Sequence, residues 1–310
     1  MLTFFNAILA GLFIKQTACF LQSRSQKEFF LTCSGTPKCF ACSKKSGTDS
    51  VNEKKTIPST IYDQILPIAC LLWNGEEIPC LNGNNNVEIE AQQGEAMLPE
   101  GIDFSDRARH FLQEAKRGCP KAQHSIALLL WNEYGGVERE AVTSAKWHAA
   151  AAIQGHLDGM ALLGGILRTG TGLEAIVSKK KQKQNVSLGL HLIDYCAQMN
   201  NPTGVNKKAA LLEIDEDHEG AFHLYQDCYD RGNANALLKL NLGWCWINGI
   251  GVVRKDVVKG EDFWRGAVEM APDEGSEEAA WYLYEQNVRE NPNVANPWFD
   301  IAIKLGFKEE

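Results

Sequence analysis

The sequence predicts an all-α fold, an α-α superhelix (solenoid) of stacked helical hairpins, and three observations carry that expectation. First, one phrase recurs: a large side chain, small residues four and five positions later, and a turn residue eight positions on. It reads Trp147-x3-Ala151-Ala152-x2-Gly155, and returns with Leu192 and Asn200, Leu224 and Gly232, Phe263 and Ala271, and Trp298 and Gly306. An earlier copy ends Glu114-Ala115-x2-Gly118, so the turn positions 118, 155, 200, 232, 271 and 306 are 37, 45, 32, 39 and 35 residues apart. A period of that length signals stacked supersecondary units. Second, glycine loops precede the phrase at Gly135-Gly136-Val137, Gly170-Thr171-Gly172-Leu173 and Gly249-Ile250-Gly251-Val252. Third, Ala, Leu, Lys, Gln and Glu dominate after residue 100, whereas strand-like alternation is brief, as in Val87-Glu88-Ile89-Glu90.

Each unit reads as helix A, glycine loop, helix B and short turn. On helix B, positions i, i+4 and i+5 share a face, so a knob sits beside a flat patch that lets a neighbouring helix approach. The Gly or Asn that follows suits a helix C-terminus. The first unit takes Ser59 to Asn74 as helix A, because Ile68-Ala-Cys-Leu-Leu-Trp73-Asn74 echoes Ile126-Ala-Leu-Leu-Leu-Trp131-Asn132. Its helix B runs from Asp103 to Arg117 with Ser105 as N-cap, and a long loop spans 75–101. The second unit has helix A from Ala122 to Trp131 and the helix B of Trp147. The third has helix A from Gly159 to Leu167. From Gly172 to Asn200 is 28 residues, against 19 from Gly136 to Gly155, and the excess coincides with a polar insert at 176–187, read as a solvated loop. The fourth unit has an atypical helix A, Asn206 to Ile214, and the fifth has Ala236 to Trp246.

The pattern resembles the Sel1-like repeat family, relatives of the tetratricopeptide repeats, written roughly A-x3-LG-x2-Y-x2-G-x-GV-x2-D-x2-KA-x2-W-x3-AA-x2-G. The stretch Ala236 to Ala271 carries Leu240, Gly243, Trp246 at the Tyr position, Gly249, Gly251, Val252, Asp256, Lys259, Phe263 at the Trp position, and Ala267. It departs by one extra residue before Asp256 and by Gly260 in place of Ala; the stretch Ala122 to Gly155 lacks the first loop glycine and the Lys-Ala pair. The resemblance covers about residues 100–310 as degenerate copies. It implies a non-enzymatic adaptor that holds partner proteins.

Residues 1–19 read as a signal-peptide-like segment, with an apolar run Leu2 to Ile14 too short to span a bilayer and a small-residue site at Thr17-Ala18-Cys19. Residues 20–57 are rich in Ser, Lys and Thr, poor in acids and aperiodic, as in a disordered or transit-peptide-like leader. Together they resemble the bipartite leaders of secondary-plastid proteins, where Phe follows the cleavage site, as Phe20 does here; Cys19 departs from that pattern. Import into the secretory pathway and endoplasmic reticulum, or into a plastid or mitochondrion, is the expectation, with no targeting at all as the alternative. Residues 58–310 form the repeat domain.

The net charge of −8 argues against a nucleic-acid partner, which needs clustered positive charge. No segment of spanning length follows the leader, so no stable membrane span is expected in a mature protein. No cofactor, metal or catalytic motif is read: the glycine loops lack the lysine and preceding strand of a phosphate loop, and neither H-E-x2-H nor a nucleophile elbow appears. Two clusters keep rival readings open. Asp215-Glu-Asp-His218-Glu219 with His223 combines potential metal ligands, but acids also suit a helix start. Cys39-Phe-Ala-Cys42 is a lone C-x2-C pair in the leader, without a second pair for zinc or a redox context. Of the ten cysteines, Cys70, Cys196, Cys228 and Cys245 lie on candidate helices and read as buried thiols. His191 has no evident partner, and Asn185-Val-Ser187 is a glycosylation sequon in what reads as an exposed loop. The expected function is protein binding on the inner face of the stack. Trp131, Tyr134, Trp244 and Trp246 are the candidate anchors; Gly136, Trp147, Ala151, Ala152, Gly155, Gly232, Gly249, Gly251 and Gly306 are structural repeat positions.

Overall fold

The computed structural model describes residues 57–74, 76–79, 111–132, 140–171, 173, 179–252, 254–271, 273–290 and 296–307. All lie within one unit, Gly47–Glu310. Tyr134, Gly136, Ser105, Cys39, Cys42 and the rest of the leader lie outside the described residues. Every regular element among the described residues is a helix. In chain order these are α1 (Ser59–Trp73), α2 (Pro120–Asn132), α3 (Ala141–Ile153), α4 (Leu157–Thr169), α5 (Lys179–Gln198), α6 (Pro202–Ile214), α7 (His218–Asp230), α8 (Ala236–Asn248), α9 (Val257–Val268), α10 (Ser276–Glu290) and α11 (Pro297–Leu305). Residues 111–116 are helical as well.

The helices pair as antiparallel hairpins, α2 with α3, α4 with α5, α6 with α7, α8 with α9 and α10 with α11. Each hairpin also packs on the next through α3–α4, α5–α6, α7–α8 and α9–α10. The first helices of successive hairpins touch along one side, α4 on α6, α6 on α8 and α8 on α10. Helix α1 packs on α3, where the Trp73 and Trp147 rings meet edge to face at 5.1 Å and the Trp73 indole donates to the Lys146 carbonyl at 3.1 Å.

Helix boundaries follow from caps. Side chains of Asn201, Asp217, Asn235 and Asp256 each accept from the backbone N–H three residues on, at 2.8–3.0 Å. Such a cap contributes about 1 kcal/mol. At the other end, Gly118, Gly155, Asn200, Gly232 and Gly306 take left-handed φ of 94°, 85°, 55°, 76° and 104°. The sixth turn position differs. Ala271 is not left-handed, since its Cβ disfavours that region by about 1–2 kcal/mol. The chain instead turns through Gly275 at φ 94°, and Ser276 Oγ donates to the Ala267 carbonyl at 3.0 Å. The helix that follows, α10, is one that the repeat phrase does not announce.

From Lys179 on, the polar insert is helix rather than loop. Helix α5 begins at Lys179, and the buried residues Asn185, Gly189, Leu192, Ile193 and Cys196 form one stripe with helical spacing. Lys and Gln are good helix formers, and the stripe carries the helix through them. Asn185 is only 7% exposed, so the sequon asparagine sits in a packed helix rather than an exposed loop.

Small residues set the interhelical distances. A Cβ at Gly204 of α6 would stand 2.5 Å from the Cβ of Cys196 in α5, and one at Gly189 2.5 Å from the Gly164 carbonyl oxygen. Trp147, Ala151 and Ala152 are buried, with Trp147 and Ala152 in a core that runs from Ile61 to Cys196. A second core runs from Val205 to Phe263, and a third joins α8, α9 and α10.

Candidate interaction surface

The aromatic anchors proposed from sequence prove to be half-buried wherever they are described. Trp131 packs against the first core. Trp244 of α8 meets Trp264 at 6.2 Å and Tyr282 of α10 at 5.2 Å, both edge to face, and so joins two hairpins. Trp246 meets Phe222 at 5.5 Å, and the Lys259 ammonium lies 3.5 Å from its ring centroid. Its indole Nε1 is buried without a hydrogen-bond partner. Aromatics at these positions therefore spend most of their surface on packing, and what they offer a partner is an edge.

The side on which α4, α6, α8 and α10 meet carries charge instead. Lys207 of α6 lies across α4, its Cε 3.8 Å from the position of a Cβ on Gly165. Its side chain is reached by solvent, yet burial pushes its pKa down, with Glu274 acting upward and Arg168 downward. Glu278 of α10 behaves in the same way with the opposite charge: it is exposed, but burial pushes its pKa up, helped by Glu277 and Glu274. Water thus reaches both side chains, while the helices packed around them disfavour the charged form. Among the described residues, Arg168, Lys207, Glu274 and Glu278 make no ion pair. By contrast, Arg231 pairs with Asp227 at 2.8 Å, and Arg265 with Glu261 and Asp262 at 2.6 and 2.7 Å. This side is thus bipolar, basic on α4 and α6 and acidic at the start of α10.

A polar cluster deeper in the stack has no counterpart in the sequence reading. His124 of α2, His148 of α3 and His156 before α4 bring their rings together, with centroids 5.4 Å apart for His124–His148 and 4.8 Å for His124–His156. His156 Nδ1 caps α4 by accepting from Gly159 N at 3.1 Å. The Nδ1 atoms of His124 and His148 are buried without a partner. Burial first, then His156, lowers the pKa of His124 to about 4, against a small upward pull from Asp158; burial also holds His148 well below its ordinary value and lowers that of His156. Asp158 accepts from Asn201 Nδ2 at 3.0 Å and Thr203 Oγ1 at 2.6 Å, which ties α4 to α6. One signal was available: α3 is buried at Ser144, Ala145 and every position from Trp147 to Ile153. A helix apolar nearly all round is buried all round, and a His within it is buried too.

The acidic cluster disperses. Asp217 caps α7, while His223 and Glu219 form an exposed pair at 3.7 Å. Among the described residues no group of three or more His, Cys, Asp and Glu is arranged to hold a metal ion. His191 is exposed on α5. Cys196, Cys228 and Cys245 are buried free thiols, Cys119 is a half-buried free thiol, and Cys70 is half-buried. Among the described residues, no helix is long and apolar enough to cross a membrane.

No protein-family model matches the chain, and no curated protein matches it either. Similar solved structures exist. One is c5321, a protective antigen of uropathogenic Escherichia coli strains displaying an SLR fold, at 19% identity and TM-score 0.38 over 66% of this chain. The match spans only 43% of that antigen's own length. Another is a Sel1 repeat protein from Oxalobacter formigenes, at 20% identity and TM-score 0.41, covering 66% of this chain and 84% of the other. A third is the immunity protein Pa5087 from Pseudomonas aeruginosa, at 15% identity and TM-score 0.44, covering 84% and 88%. The chain is thus similar in structure to Sel1-repeat proteins.

Proposed function

We propose that the hairpin stack is a non-enzymatic adaptor that receives a segment of a partner protein on the concave side formed by α4, α6, α8 and α10. The observation that carries this reading is the bipolar side, with Arg168 and Lys207 on α4 and α6 and Glu274 and Glu278 at the start of α10, without ion pairs among them. Charges that burial disfavours and no ion pair offsets, as at Lys207 and Glu278, are a standing cost. A ligand with complementary charges removes that cost, and charge complementarity also fixes the register of an extended segment. Stacked helical hairpins supply such extended surfaces.

Charge reversal tests the proposal. Tagged wild-type protein and the variants Lys207→Glu and Glu278→Lys are expressed in the protein's own cells, with folding checked by circular dichroism. A partner that co-purifies near stoichiometry with wild type and is lost from both folded variants is the expected result. Equal recovery with all three proteins places the contact elsewhere.

A further inference from the structure

We propose that His124, His148 and His156 form an acid-operated joint between the α2–α3 hairpin and α4, closed while the imidazoles are neutral and opened as the pH falls below about 6. The inference does not depend on the adaptor reading.

The geometry leaves room for neutral rings only. Three imidazoles from three successive elements touch, and the Nδ1 atoms of His124 and His148 are buried with no hydrogen-bond partner. A neutral ring tolerates one bare lone-pair nitrogen. A protonated ring carries N–H donors on both nitrogens, and a buried donor without an acceptor is costly. Two protonated rings at 5.4 Å also repel each other. The charged groups acting on the trio are Lys121 of α2, Asp158 of α4 and Lys207 of α6. Asp158 is the one anion among them, and Asn201 and Thr203 already occupy it. The other helix packed on α3, α1, contributes its buried apolar stripe of Ile61, Ile65, Ile68 and Leu72. The cheapest way for these rings to take up protons is therefore separation of the elements that carry them.

The sign follows from linkage. All three histidines have pKa values below the ordinary imidazole value when closed, so the open state binds more protons. The closed joint is fully favoured above about pH 6.5 and loses ground as the pH falls toward the closed-state values. Counting only His124 and His148, the opening equilibrium rises about 30-fold between pH 6.5 and 5.5. The Asp158 carboxyl, held below its ordinary value with hydrogen bonds from Thr203 and Asn201 and the nearby imidazoles outweighing its burial, titrates beneath this window.

Hydrogen exchange resolved by mass spectrometry on the full chain is the test, with rates normalised to intrinsic exchange at pH 7.5, 6.5 and 5.5. Amides of α2, α3 and α4 are expected to lose protection about 30-fold between pH 6.5 and 5.5, while those of α8 and α9, which hold no imidazole, do not. The His124→Gln/His148→Gln double variant should flatten that response. If the double variant fails to fold, the single variant His124→Gln, at a less buried position, should cut the loss to about 5-fold. The proposal is overturned if wild-type α2–α4 amides respond no more than those of α8–α9, or if the folded variants retain the full response.

Discussion

Replacing Gly251 by Ala separates two costs that the structure assigns to different glycines. Gly251 has φ 67° in the loop between α8 and α9, and an added Cβ would run into the carbonyl oxygen of His218 and lie 2.8 Å from the Cβ of Phe222. Gly232 has φ 76° after α7, and an added Cβ there meets nothing within 4 Å. Gly232→Ala therefore incurs the left-handed penalty alone, about 1 kcal/mol. Gly251→Ala incurs that plus steric displacement of the α7 N-terminus, which is backbone and cannot swing aside, a further 1–3 kcal/mol or so. The expected difference between the variants is thus about 1–3 kcal/mol, or roughly 2–12 °C in melting temperature for a domain of this size. Urea and thermal unfolding followed by far-ultraviolet circular dichroism read both. Equal losses in the two variants would mean that the glycine loop does not rest on α7.

Further predictions address packing, thiol chemistry and capping. Ala152→Trp should lower stability by about 1–3 kcal/mol or more, since Ala152 is fully buried in the first core; an unchanged melting temperature would place that position on the surface. Burial pushes the thiols of Cys196 and Cys245 to about 12 and that of Cys228 to about 11. At pH 8 their thiolate fractions should be roughly a hundred- to a thousandfold below that of an ordinary thiol. In native protein, alkylation mapped by mass spectrometry should reach these three only at the rate of unfolding, and prompt labelling of Cys196 would contradict its burial. Asp256→Ala removes the acceptor for Lys259 N at 3.0 Å and should cost about 1 kcal/mol, measured by urea unfolding against the uncapped control position Lys255.

The fold was legible because its signals are local. A turn that needs φ above zero selects Gly or Asn in sequence, as at Gly118, Gly155, Asn200 and Gly232. A close helix approach selects a small side chain, as at Ala151 against Gly159. Where a signal has two local solutions, reading fails. Ala271 holds the repeat position without the left-handed turn, which passes to Gly275. The lysine-rich run at the start of α5 is polar by composition, yet Asn185 and Gly189 continue a buried stripe that only the α4 surface makes meaningful. The site is less legible still. Lys207, Arg168, Glu274 and Glu278 come from three helices and a turn spread over more than a hundred residues, and the desolvation of Lys207 and Glu278 exists only once the hairpins pack.

The two seams flanking α4 differ in how their polar atoms are satisfied, which bears on the proposed joint. On the α6 side, Asp158 receives Asn201 and Thr203, Cys196 Sγ donates to the Leu157 carbonyl at 3.3 Å, and Gly204 brings the backbones of α5 and α6 close. Onward from α6, Asn206 Nδ2 donates to Asn235 Oδ1 and Asn241 Nδ2 to Asn206 Oδ1, both at 3.2 Å, a polar ladder that joins α6 to α8. Every polar atom named in these contacts has a partner, and satisfied buried networks specify one geometry. Helices α4, α6 and α8 are held by such networks. On the α2–α3 side Ser144 Oγ donates to the Ala127 carbonyl and Gln154 Nε2 to Gln123 Oε1, both at 2.8 Å, but the Nδ1 atoms of His124 and His148 are bare, so the geometry where these rings meet depends on their charge. Acid should therefore act on the near end of the stack first and leave the α6–α8 seam closed. If exchange at pH 5.5 were instead to open α6 and α8 together with α2–α4, the stack would unfold as a single unit, and the distinction between the two seams would be wrong.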